Sequence, residues 1–367
     1  MVGEKQTAKA ENLKIVKIEM KTFVKLVVII ISITSVMSCG NNDNGLNTGL
    51  LGKSVYVAGE EENASGITVA KYWNDGKAVI LSDGTHKNMV YSIYVFGSDI
   101  YVCGYEVSRN GNTIAKYWKN GKTINLTSGI TDAWAQSIFV SGNDVYIAGT
   151  EVNSNGWFVA KYWKNGVSVS MQSSLRYGSG YSIFINENDI YLAGDENYSS
   201  SNLNNVAKYW KNGIAVSLTN GSKENTSASS IYVSGSDVYV AGNQWKNSNY
   251  IAKYWKNGIL TTLTDGTKNA NASCVFVSSD NAYVSGYEEN SIGIGVAKYW
   301  KNGTAVNLTS GTKPASASSI YVSGDDIFVS GNEADNGISM AKYWKNGVAV
   351  PLTDGTYDAW AESIFIK

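Results

Sequence analysis

The sequence is poor in the residues that usually punctuate or staple a chain. It has two prolines, Pro314 and Pro351, in 367 residues, which suits a backbone whose N–H groups mostly serve strand ladders. Its three cysteines, Cys39, Cys103 and Cys274, are far apart and lack metal-ligand spacing. A disulfide between Cys103 and Cys274 is therefore not expected, and both read as small buried residues. The single histidine, His86, reads as a solvated turn residue rather than a base. Charge is also sparse in its consequences: the formal net value is −1, and a chain starting at Cys39 would carry 24 bases against 28 acids. That balance offers no footprint for nucleic acid. No nucleophile elbow, phosphate loop or metal cluster appears, so no cofactor is expected. No segment after residue 45 has helical periodicity.

What is present is a repeat. Ala-Lys-Tyr-Trp followed by Lys-Asn-Gly or Asn-Asp-Gly recurs with its tryptophan at Trp73, Trp118, Trp163, Trp210, Trp255, Trp300 and Trp344, at intervals of 45, 45, 47, 45, 45 and 44 residues. Within one unit, Ser230–Val233 and Val238–Gly242 read as two strands around a Gly235-Ser236-Asp237 turn. Ile251–Trp255 is a third strand, and Ile259–Thr264 follows as a fourth after the Asn257-Gly258 hairpin signal. Asn-Gly favours a type I′ hairpin because both central residues need positive φ. Apolar residues occur at both parities, so each sheet needs a neighbour on each face. Four-stranded blades arranged radially meet that need at this period.

The repeat phase is offset at the ends. The array begins with a second strand, Val55–Gly59, and finishes with a first strand, Ser363–Ile366. Pairing the two completes one blade and removes the exposed edges of an open array. The expected fold is all-β: a seven-bladed β-propeller over residues 53–367, closed by its C-terminal strand and monomeric.

Residues 1–52 do not share the repeat. Leu26–Val36 is an uncharged apolar run preceded by Lys21 and Lys25 and followed by Val36-Met37-Ser38-Cys39-Gly40. This resembles a bacterial lipoprotein signal, which implies acylation of Cys39 and export. Residues 1–38 would then be the signal, with Met20 as the expected true start, and residues 39–52 a flexible tether. Gly40–Gly52 would reach on the order of 20 Å, holding the propeller at a membrane without entering it. Gly40, where an inner-membrane lipoprotein of the enterobacterial type would have aspartate, favours the outer membrane, with a periplasmic or surface-facing propeller.

Two further residue sets recur. Glu61, Glu106, Glu151, Glu196, Glu288 and Glu333, with Gln244 in the same slot, could form a carboxylate ring for a cation. Each copy also has a lysine in its third strand, at Lys71, Lys116, Lys161, Lys208, Lys253, Lys298 and Lys342. Lysine and glutamate on adjacent strands would neutralise each other, which is the economical account. Turn residues Asp99, Asp144, Asp189, Asp237, Asp326 and Asn281 are expected to bond local backbone N–H groups. The recurring tryptophans are expected to fill the gaps between blades rather than bind sugars.

Specificity is then expected in residues unique to one or two copies, on the loops from second to third strand and from fourth to next first strand. Those loops carry His86, Met89, Tyr105, Arg109, Trp134, Trp157, Arg176, Tyr177, Trp245, Tyr287 and Trp360. Trp134 and Trp360 share the context Asp-Ala-Trp-Ala. The repeat resembles the extracellular bacterial HAF-type repeats across residues 54–367, through Tyr-Trp-Lys-Asn-Gly, Ala-x-Ser-Ile-Tyr-Val and Val-Tyr-Val-Ala-Gly. That resemblance implies a propeller more firmly than an activity. The expected role is binding of a glycan or protein ligand, with the alternatives of a scaffold in envelope assembly and a polysaccharide-active enzyme.

Overall fold

The computed structural model describes residues 52–171, 177–197, 205–220 and 225–367. Cys39, the signal and tether up to residue 51, and Arg176 lie outside them. The described residues form seven four-stranded antiparallel sheets arranged as a propeller. Blade 2 is representative, with Asn88–Phe96 innermost, then Asp99–Val107, Thr113–Lys119 and the exposed outermost Lys122–Asn125. Blade 1 is assembled from both ends of the array: Ala359–Ile366 pairs antiparallel with Val55–Glu62, Ile366 opposite Val55. The expected closure is thus the observed one.

The hairpin chemistry is as the sequence requires. Asn120 and Gly121 have φ of 51° and 79°, and the same two-residue signature recurs at Asp75-Gly76, Asn165-Gly166, Asn212-Gly213, Asn257-Gly258, Asn302-Gly303 and Asn346-Gly347. Asparagine also works through its side chain. Asn120 Oδ1 accepts from Ile100 N at 2.8 Å while its Nδ2 donates to Asp99 Oδ1 at 2.8 Å. The turn aspartates therefore differ from expectation. They hold the hairpin asparagine and a third-strand lysine, as in Lys119–Asp99 at 2.7 Å, because the first-to-second turn and the third-to-fourth hairpin lie side by side on one face.

All seven repeat tryptophans are at most 1% exposed. Burying such a ring contributes about 4–6 kcal/mol gross by area, an upper bound given partial burial in unfolded chains. They are scaffold. The second-strand glycine beneath them has its own cause. Each innermost strand carries a bulge, for example between Val90 and Ser92, that leaves Tyr91 without a ladder partner. The bulge presses an inner-strand carbonyl onto the facing glycine. A Cβ on Gly149 would collide with the Trp134 carbonyl and approach the Trp163 ring at 2.7 Å.

Two belts join the blades around the axis. Serine hydroxyls on the innermost strands accept from the next blade's backbone: Ile138 N to Ser92 Oγ at 3.2 Å, Val275 N to Ser230 Oγ at 3.1 Å and Ile93 N to Ser363 Oγ at 3.2 Å. Cys274 occupies this serine position and is buried. Cys103 is a free buried thiol on a second strand, its pKa pushed up by burial, so the two cysteines are not paired with each other. Two residues beyond each belt serine, Tyr94, Phe139, Phe184, Tyr232, Phe276, Tyr321 and Phe365 contact one another in a closed ring, with centroids 4.7–5.3 Å apart. One buried ring from each blade forms a collar around the axis.

Candidate functional site

Antiparallel alternation puts the second-to-third loops and the fourth-to-first loops on one face, where the innermost strands begin. These loops are tied to each other. Asn112 Nδ2 donates to Gly129 O at 3.1 Å and Asn290 Nδ2 to Gly311 O at 2.8 Å. The Asp-Ala-Trp-Ala context belongs to this tying: Asp132 Oδ1 accepts from Thr113 N at 2.7 Å, and Asp358 Oδ1 from Ser339 N at 2.6 Å. Asn269 does the same for Tyr250 N at 2.9 Å.

Several residues expected on loops lie in strands. Met89, Tyr105, Trp134, Tyr177, Trp245, Tyr287 and Trp360 are all in ladders, because the innermost strands start before their bulge and the second strands continue past their glycine. His86, Arg109 and Trp157 are on loops. His86 Nδ1 lies 2.9 Å from Thr85 Oγ1, and Arg109 is exposed. Trp134 is 7% exposed and stacked on Phe158 at 5.9 Å and 26°, so it supports a surface rather than forming one. The surface itself is Phe158, Trp157 and Tyr177, half-buried rings in which Tyr177 lies 6.3 Å from Trp157 and 6.5 Å from Phe158. On blade 5, Trp245 is 40% exposed and meets Tyr250 edge-on at 4.7 Å. Trp360 on blade 1 and Tyr287 are both half-buried, and burial pushes the Tyr287 hydroxyl up to about 12.

The recurring glutamates are paired. Glu106, Glu288 and Glu333 meet Lys116, Lys298 and Lys342 at 2.7, 2.6 and 2.7 Å, and Glu61, Glu151 and Glu196 meet Lys71, Lys161 and Lys208. Lys116 Nζ also lies 6.0 Å from the Trp118 ring centroid. Carboxylates spent in this way are not presented as a ring to a cation.

A different polar set approaches the axis. It comprises the residue directly after each second-strand glycine, together with the bulged residue of each innermost strand. In blade 1 these are Glu60 and Glu362, both buried. Burial and the neighbouring Glu362 carboxyl hold Glu60 well above the usual glutamate range. In blade 2 they are Tyr105 and Tyr91, rings 5.9 Å apart, both pushed up by burial. In blade 4 they are Asp195 and Tyr181: burial pushes Asp195 up to about 7 against hydrogen bonds from Tyr181 and Asn205. In blade 5 they are Asn243 and Ser229. Of this set the sequence pointed only to Tyr105 and Tyr287, as loop residues; the other members were missed because each sits one residue before the recurring glutamate or on a bulge that breaks alternation. The available signal was variability: Glu, Tyr, Thr, Asp, Asn, Tyr and Asn follow the glycine in blades 1 to 7.

No family model matches the chain, and no curated protein matches it in sequence. Solved structures match in fold. The β-propeller domain of the Trilobed protease from Pyrococcus furiosus superposes with a TM-score of 0.51 at 10% identity, covering 83% of this chain and 93% of that one. A puromycin-hydrolyzing peptidase of Mycobacterium tuberculosis gives 0.56 at 8% identity, covering 83% of this chain and 52% of that one. The chain thus spans about half the length of the second. The Pyrococcus domain is described as having an open velcro topology, whereas here the Ala359–Ile366 strand closes the ring. At such identities the likeness is one of fold.

Proposed function

We propose that this propeller is an exported, membrane-tethered binding module that takes a glycan or protein ligand on its loop face. One observation carries the reading. Residues that recur in all or all but one of the copies are consumed in the scaffold, as inter-blade tryptophans, lysine–glutamate pairs and hairpin asparagines. Residues that differ between copies gather at the face where the innermost strands begin. The exposed ring of Trp245 and the half-buried rings of Trp157, Phe158, Tyr177 and Trp360 favour a glycan, since ring faces stack against the C–H faces of sugars while tied loops limit the entropy lost on binding. Tethering is the role of the Cys39 signal, and the outer membrane is its expected address.

The test is a glycan array with the propeller and a Trp157→Ala, Trp245→Ala variant. Saccharide binding reduced about tenfold or more in the folded variant supports the reading. Binding that survives both changes, or its absence across the array, sinks it.

A further inference from the structure

The outer parts of blades 4 and 5 flank an open cavity of about 530 Å³, a volume in the range of small-molecule sites. None of the aromatic rings assigned to the glycan lines it. Three departures from the repeat meet around it. Leu260 stands opposite Trp255 in the ladder of blade 5 and is 45% exposed, whereas the other six copies have alanine, serine or threonine opposite their tryptophan. Thr219 of blade 4 is relieved of a scaffold task. The equivalent hydroxyls of Ser82, Thr127, Thr264 and Thr309 accept from a third-strand alanine N at 3.0 to 3.2 Å. In blade 4 that bond, from Ala207 N, goes to Thr226 Oγ1 at 3.0 Å, and Thr219 Oγ1 lies 2.8 Å from the same oxygen. The slot whose glutamate meets the third-strand lysine in six copies holds Gln244 in blade 5.

The lining has two chemistries. Leu218, Trp255 and Leu260 supply apolar surface. Ser217, Thr219 and Asn220 supply hydroxyls and an amide, Lys253 supplies an ammonium, and among the described residues no acidic side chain lines the cavity. Lys253 already interacts within the chain, but an ammonium has three donors, so one contact does not exhaust it. A cation would meet the lysine charge with no carboxylate to offset it. A ligand that brings acceptors and one negative charge finds donors instead, and the leucines offer its remainder an apolar wall. A carboxylate matches one ammonium more closely than a phosphate monoester, which carries about −1.5 to −2 at neutral pH.

We infer that this cavity is a second binding site, for a small monocarboxylate with an apolar body. The carboxylate accepts from Lys253 and from Thr219 or Asn220, and the body lies against Leu218 and Leu260. The test is calorimetric titration of the whole chain with 4-phenylbutyrate and with 4-phenylbutyramide, which keeps the body and removes the charge. Two variants are run beside the wild type. Leu260→Ala gives blade 5 the alanine that blades 1, 4, 6 and 7 carry at this place, and Lys253→Met keeps the stem of the side chain without its ammonium. The wild type is expected to favour the acid by about tenfold or more, the size of one charge-assisted hydrogen bond, and Lys253→Met to lose that preference. Leu260→Ala is expected to weaken both probes about fivefold through lost apolar contact. Equal affinity for acid and amide, a preference that survives in Lys253→Met, or affinity unchanged in Leu260→Ala overturns the site, as does the absence of binding by either probe. If Lys253→Met does not fold, the acid and amide comparison in the wild type and the Leu260→Ala titration decide the matter between them.

Discussion

The propeller meets one structural requirement in two opposite ways. In blade 5 the positions near the axis hold an amide and a hydroxyl, Asn243 and Ser229, which join Asn271 and Ser273 of blade 6 in one network. Asn243 Nδ2 donates to Asn271 Oδ1 at 2.5 Å and to Ser229 Oγ at 3.3 Å, and Asn271 Nδ2 donates to Ser273 Oγ at 2.9 Å. In blades 1 and 2 the same positions hold Glu60, Glu362, Tyr91 and Tyr105, and burial together with the Glu362 carboxyl holds Glu60 well above the usual glutamate range. The backbone is the same in both regions, down to the bulge before Ser92 and before Ser230. The difference is therefore chemical. A closed amide network gives stability, whereas a buried carboxyl at the same backbone position costs stability when it ionises.

The comparison breaks most sharply if an acid is moved into the amide network. Asn243→Asp keeps the shape, removes the donor to Asn271 and leaves a buried carboxylate without a cation. It is expected to cost about 3–5 kcal/mol at neutral pH, measured by urea unfolding. A loss below about 1 kcal/mol would mean that this region tolerates charge, and the contrast with blade 1 would disappear.

How much of this was legible in the sequence depends on alternation. Trp118 and Lys116, two residues apart on a regular strand, declare a shared face, and Asn120-Gly121 declares its hairpin. The offset between Val55 and Ile366 declares the closed ring. Tyr91 and Glu362 were not legible because a bulge gives them no partner across the ladder and turns them off the two-residue period. Glu60 was hidden beside Glu61, whose recurrence drew attention although its carboxylate is held by Lys71. Trp134 looked like a ligand residue from its context, but Asp132 and Phe158 show that context to be loop anchoring.

The acid side of the comparison is sharpened by Glu60→Gln. Glu60's folded pKa lies above its ordinary value of 4.5, so the native state binds the proton more tightly than the unfolded chain. The stability this contributes is fully present below about pH 4.5 and is lost as pH rises through the folded value. Glutamine does not titrate and can still accept from Val90 N. The variant is expected to match the wild type in acid and to exceed it increasingly as pH rises, by about 2 kcal/mol at neutrality, read from unfolding curves across pH. Asp195, pushed up to about 7, adds the same sign of pH dependence to both proteins and so cancels in the difference. A variant less stable than the wild type at neutral pH would show Glu60 to be a net stabilising residue.

The smallest effect concerns what the two regions share. Ser92 follows the bulge beside the acid pair and accepts from Ile138 N, and Ser230 follows the bulge beside the amide network and accepts from Val275 N. Both are fully buried, and in each case alanine would leave one backbone N–H without its hydroxyl acceptor. Ser92→Ala and Ser230→Ala are each expected to cost about 1 kcal/mol, and by nearly equal amounts, in paired thermal or urea unfolding. Equality would confine the difference between the regions to the residues before the belt. A markedly larger loss at Ser92 would place part of the strain of the acid pair in the belt itself, because a frame already carrying like-charge repulsion has less stability in reserve for a missing inter-blade bond.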